Sequence, residues 1–187
     1  MSEKKLIIIT ALVAVVMISG AYVYRIGFYN LGSSDLEQSR FIETEGELIL
    51  GKLRSDHAHI SFLLLIDNEL VNFTQQKYML KAEDVHFEND NGIVIHKHAT
   101  GLAIPYFLST LGIQLDQSCL ELDTGQKYCN NGSKTLRLIV NGKEVKNFDD
   151  YELRQADRIL LNYGDDTDTD LQLKFNNVPY VPEGLLE

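Results

Sequence analysis

The sequence is short of basic residues. It has 17 lysines and arginines against 27 aspartates and glutamates, and its formal net charge is −10. An acidic surface repels phosphate backbones, and the sequence also lacks runs of basic residues and glycine-rich phosphate loops. We therefore expect no nucleic-acid partner.

Motifs of common hydrolases and thiol oxidoreductases are missing as well. The sequence has no His-Glu-x-x-His helix and no recognisable Ser–His–Asp context. It has two cysteines, Cys119 and Cys129, and their spacing is not Cys-x-x-Cys. A redox-active thiol pair is therefore the weaker interpretation. These absences leave enzymatic activity an open question and favour a protein that is not an enzyme.

Long apolar runs are absent apart from Leu6–Tyr24, which carries no charge. Its length is close to the roughly 20 residues that span a bilayer. Two lysines precede the run and Arg25 follows it, which favours a cytoplasmic N-terminus. We expect residues 1–25 to form the cytoplasmic start and a single-pass anchor in the cell membrane, with the rest of the chain outside. A cleaved signal peptide ending near Ser19-Gly20-Ala21 is the alternative.

The remaining residues predict a linker and one domain. Residues 26–40 contain Asn, Gly and Ser without a clear period, as in a linker. Residues 41–176 predict an extracytoplasmic α+β domain that is mostly antiparallel β with one short helix, and its first strand lies within 41–53. Residues 177–187 predict a loosely packed C-terminal tail.

Inside the domain, alternation and turn signals predict several elements. Residues 57–67 predict a central strand because both of their faces become apolar. A hairpin is expected at Asn141-Gly142 and a strand at 158–163. Residues 100–112 favour the short helix, with Pro105 near its first turn. The acidic stretch 165–170 is expected to be a solvated loop.

The two cysteines flank a second predicted hairpin. Its loop is Asp123-Thr124-Gly125, and folding about Thr124 places Cys119 opposite Cys129. A cross-strand disulfide is then plausible, and an oxidising compartment would preserve it.

All five histidines lie between positions 57 and 98. Residues 84–98 predict a hairpin with its turn at Asp90-Asn91-Gly92, which places His86 opposite His96. Side chains alternate along a strand, so His96 and His98 share a face, as do His57 and His59. Paired Cβ atoms lie about 4.5–5.5 Å apart, so several imidazoles can reach one ion.

Clustered imidazoles predict a metal site, because neutral imidazole is the commonest protein ligand of zinc and copper. The candidate ligands are His86, His96 and His98, with His57, His59 and Asp84 assisting. Glu88 is an alternative to Asp84 as a ligand or as a group that orients a ring. Copper is the first expectation and zinc the second. Whether the histidines form one site or two depends on the order of the strands.

Two other functions remain open. The histidines could be incidental in an accessory subunit of a membrane protein complex, with other subunits as partners. They could also hold the zinc of a hydrolase that leaves one coordination position open.

Two resemblances add to these predictions. The final hairpin followed by Ala-Asp-Arg-Ile-Leu resembles the last strands of ubiquitin-like β-grasp domains. The pattern His-x-His, His-Phe-Glu, Asn-Gly, His-Lys-His-Ala-Thr-Gly with paired cysteines resembles a group of uncharacterised, membrane-anchored extracytoplasmic archaeal proteins. Some of these are loosely labelled disulfide isomerases, but that activity does not transfer without Cys-x-x-Cys. The resemblance implies an external domain and brings no established activity.

Overall fold

The structure, a computed structural model, describes residues 48–186. These residues form an α+β fold of ten strands and two short α-helices. The strands are β1 (Ala58–Ile66), β2 (Glu69–Leu70), β3 (Val85–Glu88), β4 (Asn91–Lys97), β5 (Gln114–Leu115), β6 (Cys119–Glu121), β7 (Lys127–Cys129), β8 (Thr135–Val140), β9 (Lys143–Val145) and β10 (Arg158–Gly164). The helices are α1 (Ile104–Thr110) and α2 (Asp168–Asn176), and short 3₁₀ turns lie at Gln76–Tyr78 and Glu183–Leu185.

Seven strands form one sheet in the order β3-β4-β1-β10-β8-β9, with β2 paired to β1. The central pair, β1 and β10, is parallel, and the other pairings of this sheet are antiparallel. A separate antiparallel sheet has the order β5-β6-β7. The predicted α+β class with mostly antiparallel strands is therefore confirmed for the described part of the chain.

The large sheet has a main core on one face and a smaller one on the other. Ile60, Phe62 and Leu64 of β1 are fully buried in the main core, which also holds Phe107 and Leu108 of α1. The opposite face of β1 carries Leu63 and Leu65, which pack beside the smaller core that includes residues of α2. His57, His59 and Ser61 precede these leucines on that second face, because side chains alternate along a strand. The histidines thus lie at the end of a face whose other end is apolar.

Two hairpin turns of the large sheet consist of residues that favour turns. Asp67-Asn68 joins β1 to β2, and Asn141-Gly142 joins β8 to β9, with positive φ at all four residues. Paired positive φ values match the right-handed twist of the flanking strands. The hairpin at Asn141-Gly142 and the strand at 158–163 are confirmed.

The histidine hairpin turns at a different place from the one predicted. Positive φ occurs at Asn89 and Asp90, and β4 already begins at Asn91. A register shift between His86 and Glu88 absorbs the difference, so His86 still pairs with His96. The prediction of a three-residue turn at 90–92 was wrong, but the predicted pairing of His86 with His96 is confirmed.

Gly92 is required by close packing and not by the turn. A Cβ atom at this position would lie 2.4 Å from the backbone carbonyl carbon of Phe73 and 2.7 Å from the nitrogen of Thr74. The absence of a side chain therefore lets β4 approach the segment that follows β2.

The acidic stretch 165–170 does not form the expected loop throughout. Helix α2 begins at Asp168, after Thr167 as its N-cap. The Thr167 hydroxyl accepts from the Asp170 N–H, while the Asp170 carboxylate accepts from the Thr167 N–H, which is a reciprocal capping box. Asp166, which precedes helix α2, forms a salt bridge with Lys174 inside it. The predicted single helix, which corresponds to α1, is thus joined by a second.

The two ends of the described chain also differ from expectation. The tail was predicted to pack loosely, yet Val178 and Val181 are buried, and Arg158 donates to the Val178 carbonyl. Residues 48–53 form no strand, although the pattern of 41–53 suggested one. The predicted anchor Leu6–Tyr24 and linker 26–40 lie outside the described residues.

The predicted disulfide is present. Cys119 of β6 pairs directly with Cys129 of β7, and their sulfur atoms are bonded at 2.09 Å. This bond closes the small sheet across its hairpin.

Candidate metal centre

Strand pairing brings the two His-x-His pairs together with His86. In one row across three neighbouring strands, His86 of β3 pairs with His96 of β4, which pairs with His59 of β1. Two residues farther along, just beyond the strand ends, His98 and His57 form a second row, since their neighbours Lys97 and Ala58 are paired. The five imidazoles therefore belong to one cluster, which we call the histidine cluster.

The ring centroids are separated by 4.6 to 5.9 Å between neighbours. Within the first row, His59 and His96 lie 4.6 Å apart, and His86 and His96 lie 5.9 Å apart. His98 connects the rows, at 5.3 Å from His57 and 5.1 Å from His86. The rings of residues 86, 96 and 98 lie on one side of the sheet, and the centroids of His96 and His98 lie 5.9 Å and 5.1 Å from that of His86.

The two rows differ in how deeply their side chains are buried. His59, His86 and His96 are buried, His98 is half-buried and His57 is exposed. The first row therefore lies deeper than the second, and the cluster opens to solvent at the His57 end. Ser61, next along this face of β1, is fully buried, and its hydroxyl has no hydrogen-bond partner among the described residues.

The environment disfavours the charged form of three rings. The pKa of His96 is lowered to about 4, with burial as the largest cause; the nearby imidazoles also lower it, while the Glu88 carboxylate opposes them. Burial also lowers the pKa of His59, as does the neighbouring His57. The pKa of His98 is lowered by burial first and then by His86 and His57. These rings are neutral at pH 7, which is the form that binds metals.

One ring has a defined tautomer. The Nδ1 atom of His86 lies 2.8 Å from the carbonyl oxygen of Ala82. A carbonyl can accept a hydrogen bond but cannot donate one, so Nδ1 carries the proton. In the neutral ring, Nε2 then presents a lone pair toward the cluster.

The two carboxylates considered from the sequence have different neighbours. Asp84 was predicted to assist, but its carboxylate accepts a 2.7 Å hydrogen bond from Tyr106 of α1. Glu88 instead lies between two rings, 3.6 Å from Nε2 of His86 and 3.6 Å from Nδ1 of His96. The signal for Glu88 was its position two residues after His86, on the same face of β3.

Lys97 lies between His96 and His98 in the sequence and is buried, although lysine side chains are usually solvated. It points to the opposite face of the sheet and is 1% exposed. Its ammonium group donates to Asp56 at 2.7 Å, to Glu152 at 2.9 Å and to the Leu153 carbonyl at 2.6 Å. Lys97 therefore ties β4 to two loops behind the histidine cluster.

A second contact that the sequence did not suggest involves Gln155. Its side-chain oxygen accepts from the His59 N–H at 2.6 Å, and its nitrogen donates to the Leu185 carbonyl at 2.9 Å. Gln155 thereby joins the deep row of the cluster to the C-terminal 3₁₀ turn. No sequence signal marks such a contact, because it spans 96 residues on one side.

The side chains as they stand do not form a ready metal site. Among residues 48–186, no group of three or more histidine, cysteine, aspartate or glutamate side chains is positioned to hold an ion. The rings of His86 and His96 lie nearly parallel, with an interplanar angle of 9°. Metal binding would therefore require rotation of the imidazoles about their side-chain bonds.

Comparisons with protein-family models, with curated proteins and with solved structures gave no match to this chain. In the part of the chain that the structure describes, no helix has the length and apolar character needed to cross a membrane.

Proposed function

We propose that this protein binds copper or zinc through the histidine cluster. The observation that carries the proposal is the strand pairing that aligns His86, His96 and His59 in one row and His98 and His57 in the next. Backbone pairing fixes the positions from which these five rings project, so the donors remain together even when individual rings rotate.

The spacing of the rings supports the proposal. Zinc binds imidazole nitrogen at about 2.0–2.1 Å, so the ring centroids of two ligands on one tetrahedral ion lie about 5 Å apart. Neighbouring centroids in the cluster are 4.6 to 5.9 Å apart. Small changes in side-chain torsion can then direct nitrogens toward one point without moving the backbone.

The protonation state gives further support. A metal must displace any proton on the coordinating nitrogen, so ligands that are already neutral bind without that cost. The lowered pKa values of His59, His96 and His98 keep these three rings neutral at pH 7. The Nδ1–H of His86 bonded to a backbone carbonyl is the kind of contact that orients metal-binding histidines.

The cellular setting of the proposal follows from the sequence and the disulfide. We propose that Leu6–Tyr24 anchors the chain in the cell membrane and that the domain lies outside. The Cys119–Cys129 bond supports this placement, since disulfides persist in oxidising compartments. The partners of this protein would be other proteins of a membrane complex.

We also propose that the C-terminal half of the chain is β-grasp-like. Support comes from the order of the strands, in which hairpin β8–β9 precedes β10 and β10 lies parallel to β1 at the centre of the sheet. This concerns architecture and implies no activity.

Metal titration of the purified full-length protein tests the proposed function. Metal-free protein prepared by chelation is titrated with Zn²⁺ and with Cu²⁺, and bound metal is measured by elemental analysis after gel filtration. We expect at least about one equivalent of either metal in wild type, and at least roughly tenfold weaker binding in the double variant His96→Ala/His98→Ala.

The control variant is Glu121→Gln, which removes a carboxylate from the separate three-stranded sheet. It should bind like wild type if the metal is held by the histidines. If surface carboxylates collected the cations instead, removing one of them would lower binding. If wild type retains no metal above the level of the histidine variant, metal binding is refuted and an accessory role with incidental histidines becomes the better interpretation.

A further inference from the structure

Glu88 lies beside two of the histidines, and its carboxylate accepts a hydrogen bond from the Asn89 side chain at 3.0 Å but none from either ring. The carboxylate oxygens lie 3.6 Å from Nε2 of His86 and 3.6 Å from Nδ1 of His96. These separations exceed those of direct hydrogen bonds between nitrogen and oxygen, which are about 2.7–3.2 Å. Glu88 therefore faces both nitrogens without binding either of them directly.

The tautomer of His86 makes this arrangement unfavourable when the ring is neutral and no cation lies between the two groups. Its Nδ1–H donates a hydrogen bond to the Ala82 carbonyl, so in the neutral ring Nε2 can only accept a hydrogen bond. An imidazole lone pair and a carboxylate oxygen that face each other repel. A positive ion between them converts both groups into ligands.

Each nitrogen–oxygen separation, taken alone, suits such an ion, and rotation of the imidazoles would bring the three side chains to one ion, which they do not share as they stand. Two donor atoms that each lie about 2.0–2.1 Å from a metal and 3.6 Å from each other subtend an angle of about 120° at the metal. This value lies close to trigonal geometry and near the tetrahedral angle. Glu88 contacts both histidines at this separation, and its two oxygens could bind in a bidentate manner.

From this geometry we infer that Glu88 is a metal ligand, and that His86, His96 and Glu88 together select a divalent ion over cuprous ion. The inference rests on the proposed metal-binding function and adds the identity of an anionic ligand and the class of ion. Carboxylate oxygen is a hard ligand suited to divalent ions, whereas cuprous ion favours soft sulfur ligands. The site is therefore a two-histidine, one-carboxylate centre at the deep row of the cluster.

Asp84 supplies a matched control on the same hairpin. Its carboxylate is held by the Tyr106 hydroxyl at 2.7 Å and makes no contact with a histidine among the described residues. Changing Asp84 to Asn removes the same charge as changing Glu88 to Gln. A difference between the two variants thus reports ligation and not the loss of general negative charge.

The experiment measures metal affinity of the full-length protein by competition with chromophoric chelators. Zn²⁺ is used for the divalent arm, and cuprous ion held reduced with ascorbate is used for the other. We expect Glu88→Gln to weaken Zn²⁺ binding by at least about tenfold and to change cuprous binding by less than about threefold. Glu88→Asp should fall between wild type and Glu88→Gln, and Asp84→Asn should match wild type.

The possible outcomes separate the inference from the proposed function. Equal Zn²⁺ affinity in wild type and Glu88→Gln would overturn the role of Glu88 and leave metal binding by the histidines intact. Equal losses in Glu88→Gln and Asp84→Asn would also overturn it, since charge alone would then be responsible. Failure of wild type to bind either ion would overturn both proposals.

A measurement on wild type guards against misfolded variants. The infrared difference spectrum between zinc-loaded and metal-free protein should contain shifted carboxylate stretching bands, because ligation changes the two C–O bonds of Glu88. A spectrum that contains imidazole changes without carboxylate changes would overturn the inference.

Discussion

Acid should destabilise the metal-free protein in a pH range where most carboxylates have not yet titrated. The cause is His96, whose pKa is lowered from 6.5 to about 4, with burial as the largest contribution. Below pH 6.5 the unfolded chain takes up a proton at this position, while the folded protein does not until about pH 4. The unfolded state then binds more protons, so stability falls as the pH falls through this window.

The size of the effect follows from the shift. Each pKa unit corresponds to about 1.36 kcal/mol, so full titration of His96 removes about 3 kcal/mol of stability between pH 6.5 and pH 4. Between roughly pH 7.5 and pH 5 the loss is about 2 kcal/mol. His59 and His98 act in the same direction, because their pKa values are also lowered.

Urea-induced unfolding in the presence of a chelator measures the free energy of unfolding across this range. The variant His96→Gln lacks the titrating ring and should show a pH dependence smaller by about 2 kcal/mol between roughly pH 7.5 and pH 5. Comparing the two proteins at each pH removes contributions that they share. Glu121→Gln in the three-stranded sheet serves as a control and should retain the wild-type slope.

The reasoning fails if wild type and His96→Gln lose the same free energy over this range. Such a result would mean that His96 accepts a proton in the folded protein as readily as in the unfolded chain. The neutral cluster described above would then have to be abandoned.

Three further predictions concern the scaffold. Lys97→Ala should lower the free energy of unfolding by about 2–4 kcal/mol, because it leaves a cavity and removes the donor to the Leu153 carbonyl. Lys97→Met fills the space and should lower it by less. Equal midpoints of urea unfolding for the two variants would contradict this. Gly92→Ala should lower stability by about 1–3 kcal/mol, since its Cβ meets the Phe73 backbone at 2.4 Å; an unchanged melting temperature would show that the strand moves freely. Thr167→Ala should cost about 1 kcal/mol through the lost helix cap, measured by urea unfolding, and a neutral result would argue against the capping box.

Several elements could be predicted because their causes are local. Asn141-Gly142 turns where the strands require positive φ, and the Cys119–Cys129 pairing follows from the length of its hairpin. Helix α2 was missed even though its capping signal, Thr167 followed three residues later by Asp170, is visible in the sequence. The run of aspartates resembled a solvated loop, and the burial of Leu171 and Phe175 against the sheet outweighed that composition.

The candidate site also combines features with local causes and features that the tertiary packing sets. The sequence predicted the pairing of His86 with His96, although the turn lies at Asn89-Asp90 and a register shift restores the alignment. Local reasoning could not tell which carboxylate, that of Asp84 or that of Glu88, lies beside the rings of His86 and His96. The answer depends on Tyr106 of α1, which approaches Asp84 through the packing of helix on sheet.

By itself, the sequence determined that each His-x-His pair presents two rings to one side, because the alternation of side chains is a property of any extended strand. The tertiary structure decided that the two pairs meet, by placing β4 against β1 with His96 opposite His59. It also decided that Lys97 is buried while its neighbours His96 and His98 face the cluster. Strand order and register between distant segments are set by burial of both sheet faces, and that information is spread over the whole chain.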